Sequence, residues 1–416
     1  MTDLKASLLV ILFTACLSSS CNRETEESRA GVIDIEKSVG KYSEERLSKY
    51  FSSVDYIPLE TNDSSVLGNI ISICHEKGLF FVADDNNVCK IFDSSGKYLR
   101  TLNHIGRGPG EYLTISDMYV SPVSGNIMIM DHRGEITEYN SFGVFIRKIA
   151  SPVTDKNFQR FTLVNDELIA ASIYEFHLED GRSEGGYIIY DTCLNIRKHY
   201  TQKSGSIEIK GKEGDNKIYS VKTDPFVFSR LADKITLTSN STDTLFLLNE
   251  ELSLSPWYIF RFGKYTADPA ELAAKTIDEN SSVITKYFSF YEIGSNLFFT
   301  LKMRGLAPEP YDNISLAPGI IKPTRNTNVY GIFNREQKSL TLLKQPYHKK
   351  PGLNDDIKGG PPFWPRFVSS SCEMINYYSA LELIMLQEET GTEFKGLSNI
   401  TKDLGEAANP VIVIAK

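Results

Sequence analysis

The chain has 416 residues, of which 41% are hydrophobic and 24% are charged, a composition typical of a folded globular protein. Its net charge of −8, without a Lys/Arg cluster of five or more, argues against a surface that binds DNA or RNA, which needs a basic stripe. The 23 Phe and 21 Tyr residues favour β-strands, so we expect a mainly β protein.

The N-terminus carries an export signal. Ala6 to Leu17 form an apolar run of 12 residues, which is shorter than the roughly 20 needed to span a membrane and is typical of the core of a signal peptide. Small residues then lead to Cys21, and the whole segment resembles a bacterial lipoprotein signal, in which the cysteine is lipidated and becomes the mature N-terminus. We therefore predict a signal peptide over residues 1–20 and lipidation of Cys21.

Two alternatives stay open for this segment. Cleavage before Cys16 would leave Leu17 in the mature tail, and an ordinary secretory signal would make Cys21 incidental. An acidic stretch follows Cys21 and resembles the signal that sends such lipoproteins to the outer leaflet of the outer membrane, although a charged, flexible tether is the simpler interpretation. The predicted location is the outer membrane, lipid-anchored, on the cell-surface or periplasmic face.

Residues 21–53 are predicted to be a tether and N-terminal extension, with a weak helical pattern over Ser43–Phe51. An internal repeat begins after them. Residues 79–102 align without a gap on residues 126–149, at an offset of 47, so that Asp84 falls on Asp131 and Gly96 on Gly143.

Each copy of the repeat predicts three strands, and the joining segment predicts a fourth. A third copy is recognisable at Leu168–Tyr200, and strand groups are predicted at residues 234–248, 297–333 and 379–386. Four-stranded units of 40 to 50 residues are typical of a β-propeller. The predicted fold is all-β: a six-bladed β-propeller over residues 54–416 with short helical decorations, one of them a helix beginning at Asp268-Pro269.

The segment HIGRGPGEY (residues 104–112) lies between two copies of the repeat. It matches neither a phosphate-binding loop nor a dinucleotide-binding turn, both of which must open a helix. We interpret it as a corner between blades in which Gly108 and Gly110 adopt positive φ. The alternative is a ligand-contacting loop, with Arg107 and Glu111 as candidate binding residues.

A second candidate loop, GGPPFWPRF, spans residues 359–367. Phe363, Trp364 and Arg366 form a set that could stack on a sugar ring or hold a peptide. The alternative is that both aromatic side chains fill a gap between blades. Ring closure makes a further prediction: Val54–Leu59 and Val411–Ala415 should lie in the same blade, because a propeller must join its ends.

Four segments together resemble a known family: IGRGPGEY at residues 105–112, YIPLET at 56–61, FWP at 363–365 and NPVIVIAK at 409–416. The combination is similar to that of six-bladed β-propeller lipoproteins of gut Gram-negative anaerobes, a group related to NHL-type propellers. The resemblance implies the fold and an envelope location. It implies no catalytic residue.

Catalysis has little support in the sequence. Some six-bladed propellers are metal-dependent lactonases or lyases, and Asp84, Asp131, His132 and Asp191 are the candidate ligands here. Turn chemistry explains the aspartates better, because Asp is favoured where its carboxylate bonds the backbone of a turn. No catalytic triad, cofactor or metal site is predicted, and the cysteines of the body, Cys74, Cys89, Cys193 and Cys372, show no metal-binding spacing and predict no disulfide framework. The favoured function is that of a binding protein, whose partner is a glycan, a peptide or another envelope protein.

Overall fold

A computed structural model describes most of the chain from residue 30 onward. The described segments are residues 30–176, 183–203, 205–210, 216–221, 226–231, 234–239, 242–266, 282–307, 310–314, 321–344, 352–391, 393–401 and 404–416. The predicted signal peptide with Cys21, and the predicted helix after Asp268, lie outside them.

Strands dominate the described residues. They are β1 (Gly31–Asp34), β2 (Tyr42–Ser43), β3 (Val54–Pro58), β4 (Ile70–Glu76), β5 (Leu79–Asp84), β6 (Cys89–Asp93), β7 (Tyr98–Leu102), β8 (Asp117–Val120), β9 (Ile127–Met130), β10 (Ile136–Tyr139), β11 (Phe145–Ile149), β12 (Phe158–Leu163), β13 (Leu168–Phe176), β14 (Ser183–Asp191), β15 (Ile196–Lys203), β16 (Gly205–Lys210), β17 (Asn216–Val221), β18 (Val227–Leu231), β19 (Lys234–Thr238), β20 (Thr244–Leu248), β21 (Leu254–Arg261), β22 (Val283–Ile293), β23 (Asn296–Arg304), β24 (Tyr311–Ile314), β25 (Ile321–Thr324), β26 (Thr327–Asn334), β27 (Ser339–Leu343), β28 (Phe367–Val368), β29 (Met374–Tyr378) and β30 (Val411–Ala415).

Six antiparallel sheets form the six blades of a β-propeller, as predicted. In chain order of their innermost strands they are blade 1 (β4-β5-β6-β7), blade 2 (β8-β9-β10-β11), blade 3 (β12-β13-β14-β15), blade 4 (β18-β19-β20-β21), blade 5 (β22-β23-β26-β27) and blade 6 (β28-β29-β30-β3). The predicted fourth strand of each repeat is therefore the innermost one.

Blade 6 closes the ring. Its outermost strand β3 comes from the N-terminal part of the chain and pairs antiparallel with the C-terminal strand β30, from Val54 opposite Ala415 to Pro58 opposite Val411. The prediction that these two segments share a blade is confirmed. Because β3 pairs with β30, the C-terminal strand is not left as a free sheet edge.

Part of the N-terminal extension belongs to the folded structure. Strand β1 pairs in parallel with β21 at the outer edge of blade 4, and β2 pairs in parallel with β27 at the outer edge of blade 5. Where a helix was predicted over Ser43–Phe51, the structure has only a short 3-10 turn at Leu47–Lys49. Leu47 and Phe51, at the start of the turn and just after it, are both buried in the core.

The hydrophobic core is divided into six clusters, each between two neighbouring blades. In β5, Phe81 belongs to the cluster shared with blade 2, whereas the adjacent Phe80 belongs to the cluster shared with blade 6. Successive side chains of a strand point to opposite faces of the sheet, and both faces of a blade are buried. This is why the central strands are continuous apolar runs instead of alternating ones.

Two hairpins and a helical segment are inserted between the blade strands. The hairpin β16-β17 precedes blade 4, and the hairpin β24-β25 lies between the second and third strands of blade 5. Helices α1 (Ala380–Thr390) and α2 (Ser398–Thr401) lie between β29 and β30 of blade 6. All three insertions are in connections on the face where the innermost strands begin.

The strand group predicted at residues 379–386 is wrong, because helix α1 occupies that position. Ser379 caps the helix: its side chain accepts a hydrogen bond from the Glu382 amide, and the Glu382 carboxylate accepts one from the Ser379 amide. This reciprocal capping box begins a helix regardless of the aliphatic residues that follow. Gly391 ends the helix with φ +59°.

The turns confirm the repeat and the predicted role of its aspartates. The carboxylates of Asp84, Asp131 and Asp191 each accept a hydrogen bond from the amide two residues later, at 3.0, 2.9 and 3.0 Å. Gly96 and Gly143, which the sequence aligns, both have φ +84°. Each follows an Asp or Asn that begins the same turn between the third and fourth strands of its blade.

Candidate functional site

The six innermost strands surround a central cavity of about 870 Å³. Every blade contributes to its wall. The lining includes Cys74 and Glu76 of blade 1, Asp117 and Tyr119 of blade 2, Gln159 and Arg160 of blade 3, Ser229 and Arg230 of blade 4, Ser289 and Tyr291 of blade 5, and Arg366 and Ser369 of blade 6. We call this space the central cavity.

Polar contacts join each pair of neighbouring blades. The contacts, in order, are Cys74 Sγ to the Met118 carbonyl, Arg160 to Asp117, Arg230 to the Leu163 carbonyl, Lys286 to the Ser239 carbonyl, Tyr291 to the Arg366 carbonyl, and Ser370 to Glu76. These contacts tie each blade to the next around the ring.

Arg160 and Asp117 form the ion pair of the cavity wall. Arg160 Nη1 lies 3.0 Å from Asp117 Oδ1, and the other Asp117 oxygen accepts a hydrogen bond from the Phe161 amide at 2.9 Å. Burial raises the pKa of the Asp117 carboxyl, and the nearby Arg160 charge opposes that rise. The Asp117 charge in turn raises the pKa of Arg160. Both groups therefore depend on each other for compensation of charge.

The other two arginines of the cavity have different partners. Arg230 donates to the Leu163 carbonyl, and its Nε is buried without a hydrogen-bond partner. The Arg366 guanidinium lies over the Tyr377 ring, 4.5 Å from the ring centre. No carboxylate of the described residues forms an ion pair with either one. Burial raises the pKa of the Tyr291 phenol to about 12, and the nearby positive charges of Arg160 and Arg366 act in the opposite direction and lower it less.

The structure separates the residues of the predicted GGPPFWPRF site. Phe363 is fully buried and Trp364 is 5% exposed, both in the cluster between blades 5 and 6. Trp364 stacks on Tyr330 with ring centres 4.2 Å apart, and Phe363 packs edge-on against Phe51. The interpretation that both aromatic side chains fill a gap between blades is confirmed, and their ring faces are not open to a sugar. Arg366 alone of this set lines the central cavity.

The HIGRGPGEY segment is a corner between blades 1 and 2, as predicted, but its glycines serve a different purpose. Neither Gly108 nor Gly110 has positive φ. Instead the chain curls around the Glu111 carboxylate, which accepts a hydrogen bond from the Gly108 amide at 2.7 Å. A Cβ on Gly106 would lie 2.0 Å from Glu111 Oε2, so close approach is what requires glycine here. Arg107 is exposed, and neither Arg107 nor Glu111 lines the central cavity.

The metal-ligand candidates are not gathered into a site. Asp84, Asp131 and Asp191 are turn residues in three different blades, and His132 Nδ1 lies 3.0 Å from Thr114 Oγ1 beside one of those turns. Among the residues that the structure describes, no group of three or more His, Cys, Asp or Glu side chains is placed to hold a metal ion. The metal-dependent enzyme that the sequence left as an alternative therefore has no supporting observation.

The four cysteines of the body are unpaired. Cys74 lines the cavity beside Asp117 and Glu76, and burial raises the pKa of its thiol to about 12. Cys89 is buried in the cluster between blades 1 and 2, and burial likewise raises the pKa of its thiol. A thiol with a raised pKa carries little reactive thiolate at neutral pH. Cys89 is therefore a small core side chain, and Cys74 is part of the cavity wall.

Sequence reasoning missed Arg160 and Arg230 as site residues. Each is the one charged residue of its strand, FQRFTL or VFSRL, and each of these strands begins a blade. A charged side chain in a strand that precedes a predicted repeat was the available signal, because the first strand of a blade lines the channel. This signal can be read only where the start of each blade is known, and the spacing of the repeat becomes irregular after its second copy.

Together, the six blades and their shared cavity define a six-bladed β-propeller with a central ligand-sized space. Residues 30–416 match a family described as a domain of unknown function, DUF4934. The chain belongs to that family. No match is found among curated proteins.

Solved structures are also similar to this chain. A crystal structure of a "putative exported protein" from Bacteroides fragilis NCTC 9343 has 14% identity and a TM-score of 0.61, covering 93% of this chain and 99% of that one. The WD40 repeats of RRP9 have 11% identity and a TM-score of 0.41, covering 88% and 98%. The propeller domain of Cps50 from Myceliophteria thermophila has 11% identity and a TM-score of 0.32, covering 70% and 90%.

Proposed function

We propose that this protein is an exported, lipid-anchored binding protein of the cell envelope and that its ligand occupies the central cavity. The observation that carries the proposal is the space of about 870 Å³ to which all six blades contribute. Pockets of about 300–1,000 Å³ are typical of sites that enclose small ligands. A glycan or a peptide segment of an envelope protein is the class of ligand proposed.

The cavity wall supports this class because it combines hydroxyl groups with aromatic side chains. Ser229 and Ser289 supply hydroxyls on blades 4 and 5, and Tyr119 and Tyr291 supply aromatic surface on blades 2 and 5. Hydroxyls bond the polar groups of a sugar or peptide, and the aromatic rings give it an apolar surface to pack against.

A tryptophan placed in the cavity tests the site. Ser289 is exposed to the cavity, so Ser289→Trp should fill the space without disturbing the core and abolish binding in a glycan and peptide array. Ser339→Trp is the matched control, because Ser339 is an exposed serine in the outermost strand of the same blade. Unchanged binding by Ser289→Trp, with a normal thermal midpoint, would place the ligand site elsewhere.

Export and anchoring form the other half of the proposal. The similarity to a protein described as exported, the apolar segment and Cys21 support them together. None of the helices in the described part of the chain is long and apolar enough to cross a membrane. Lipid attached to Cys21 would supply the anchor, because several acyl chains together hold a protein to a bilayer almost permanently.

The fold limits how far the propeller can stand from such an anchor. Gly31 begins β1 at the outer edge of blade 4, ten positions after Cys21. Ten extended residues span at most about 35 Å, so the edge of blade 4 would stay near the membrane.

Membrane fractionation tests the anchor. Cys21→Ala should move the protein to the soluble fraction, whereas Cys16→Ala should leave it with the membranes. The opposite pattern would assign lipidation to Cys16, and a soluble wild-type protein would refute anchoring. Protease digestion of intact cells then distinguishes the outer leaflet, which the acidic stretch after Cys21 favours, from the periplasmic face.

A further inference from the structure

The central cavity contains more positive than negative charge. In the part of the chain that the structure describes, its wall carries three arginines, Arg160, Arg230 and Arg366, on blades 3, 4 and 6, and two carboxylates, Asp117 and Glu76. The whole chain has a net charge of −8. A cationic cavity inside an acidic protein is therefore a local feature and not a consequence of the overall composition.

Both carboxylates are engaged within the wall. Asp117 is held by Arg160 and by the Phe161 amide. Glu76 accepts hydrogen bonds from the Ser370 amide at 2.9 Å and from the Ser370 hydroxyl. Glu76 keeps its negative charge, but among the described residues neither carboxylate forms an ion pair with Arg230 or Arg366.

Arg230 and Arg366 keep donor groups that no carboxylate of the described residues binds. Arg230 bonds only a carbonyl oxygen of blade 3, and its buried Nε has no acceptor. Arg366 is held by the face of the Tyr377 ring, which orients the guanidinium without neutralising it. A guanidinium that is recessed among protein groups and lacks a counter-charge binds an anion more strongly than one in open water.

Resting on the proposed function of the cavity, we infer that its ligand is an organic anion whose carboxylate or phosphate group is bound by Arg230 and Arg366. The guanidinium fork of arginine matches the two oxygens of either group. The serine and tyrosine side chains of the wall contact the rest of the ligand. Arg160 contributes to the positive field but stays paired with Asp117.

A matched set of sugars tests this inference by calorimetric titration of the full-length protein. Glucuronate carries a carboxylate, glucose 6-phosphate carries a phosphate, and glucose is the neutral counterpart. The wild-type protein should bind at least one of the two anions at least tenfold more tightly than glucose, and the preferred anion identifies the group. Raising the salt concentration should weaken the anion more than glucose.

Single variants locate the contact. Arg230→Gln and Arg366→Gln should each weaken binding of the preferred anion at least tenfold and leave binding of glucose unchanged. Arg197→Gln is the control, because Arg197 lies on the outermost strand of blade 3, paired with Asp191 and away from the cavity; it should change neither.

The outcomes separate the two proposals. Glucose binding as tightly as the anions, with both abolished by Ser289→Trp, would overturn the anionic ligand and keep the cavity as the binding site. Anion binding that survives both arginine substitutions would overturn the assignment of Arg230 and Arg366. If neither anion binds with a dissociation constant below about 10 mM, the inference is overturned. The array with Ser289→Trp and the fractionation of Cys21→Ala test the proposed function independently.

Discussion

Ring closure depends on a glycine in a neighbouring blade. Gly96 lies in the turn between β6 and β7 with φ +84°, and a Cβ at this position would lie 2.2 Å from the carbonyl oxygen of Pro58, the last residue of the closing strand β3. Because the obstructing atom belongs to the backbone, rotation of a side chain cannot relieve the clash. We predict that Gly96→Ala destabilises the protein by displacing the end of β3.

The repeat provides the reference for the magnitude. Gly143 occupies the equivalent turn of blade 2 with the same φ of +84°, but a Cβ there meets only the Leu102 side chain, at 3.2 Å. Gly143→Ala should therefore lose about 1–2 kcal/mol of unfolding free energy, the cost of a left-handed alanine. Gly96→Ala should lose this amount and about 1–3 kcal/mol more for the forced displacement.

Denaturant unfolding at 25 °C measures the two variants, and hydrogen exchange at the amides of β3 shows whether the additional loss lies in the closure. Faster exchange in β3 of Gly96→Ala, but not of Gly143→Ala, is expected. Equal losses of unfolding free energy in the two variants would refute the argument, because the backbone contact with Pro58 would then have no energetic consequence.

Three further predictions follow from the packing and the charges. Trp364→Ala should lower the unfolding free energy by about 3–5 kcal/mol, because it leaves a large cavity between blades 5 and 6. Arg160→Gln should lower it by about 2 kcal/mol, since Asp117 loses its counter-charge. At Glu373, burial acts to raise the pKa of the carboxyl, but hydrogen bonds from His75 and Lys416 outweigh it and hold the pKa below the ordinary 4.5. The ionised carboxylate therefore contributes stability above about pH 4.5, and this contribution is lost as the pH falls through the lowered pKa. Glu373→Gln should be less stable than wild type at pH 7 and should approach the stability of wild type in acid.

The first two of these have a control variant, and the third is checked by its pH dependence. Phe142 is 75% exposed, so Phe142→Ala should change the thermal midpoint little, and a similarly small change for Trp364→Ala would contradict its burial. Arg197→Gln breaks an exposed ion pair and should cost less than about 1 kcal/mol; a larger loss than that of Arg160→Gln would contradict the account of the cavity pair. A difference between Glu373→Gln and wild type that does not shrink in acid would contradict the assigned titration.

The successful predictions came from patterns that depend on nearby residues. The offset of 47 aligned Gly96 with Gly143 and Asp84 with Asp131, and the structure gives each pair the same turn, because turn conformation is set by a few adjacent residues. Ring closure followed from a general requirement of propellers. The strand predicted at residues 379–386 was wrong because its aliphatic residues suit a strand as well as a helix, and the Ser379–Glu382 capping box, although visible in the sequence, was overlooked.

The sequence alone determined the fold class, the repeat, the turns and the closing strands, since each is written in residues close together or in apolar runs that both faces of a blade must bury. Only the tertiary structure decided which side chains face one another across the channel. Arg160, Arg230 and Arg366 are up to 206 positions apart and meet because three different blades present their first strands to the same axis. The same packing buried Phe363 and Trp364, whose loop resembled an exposed binding site, because the gap between blades 5 and 6 needed large apolar side chains to exclude water.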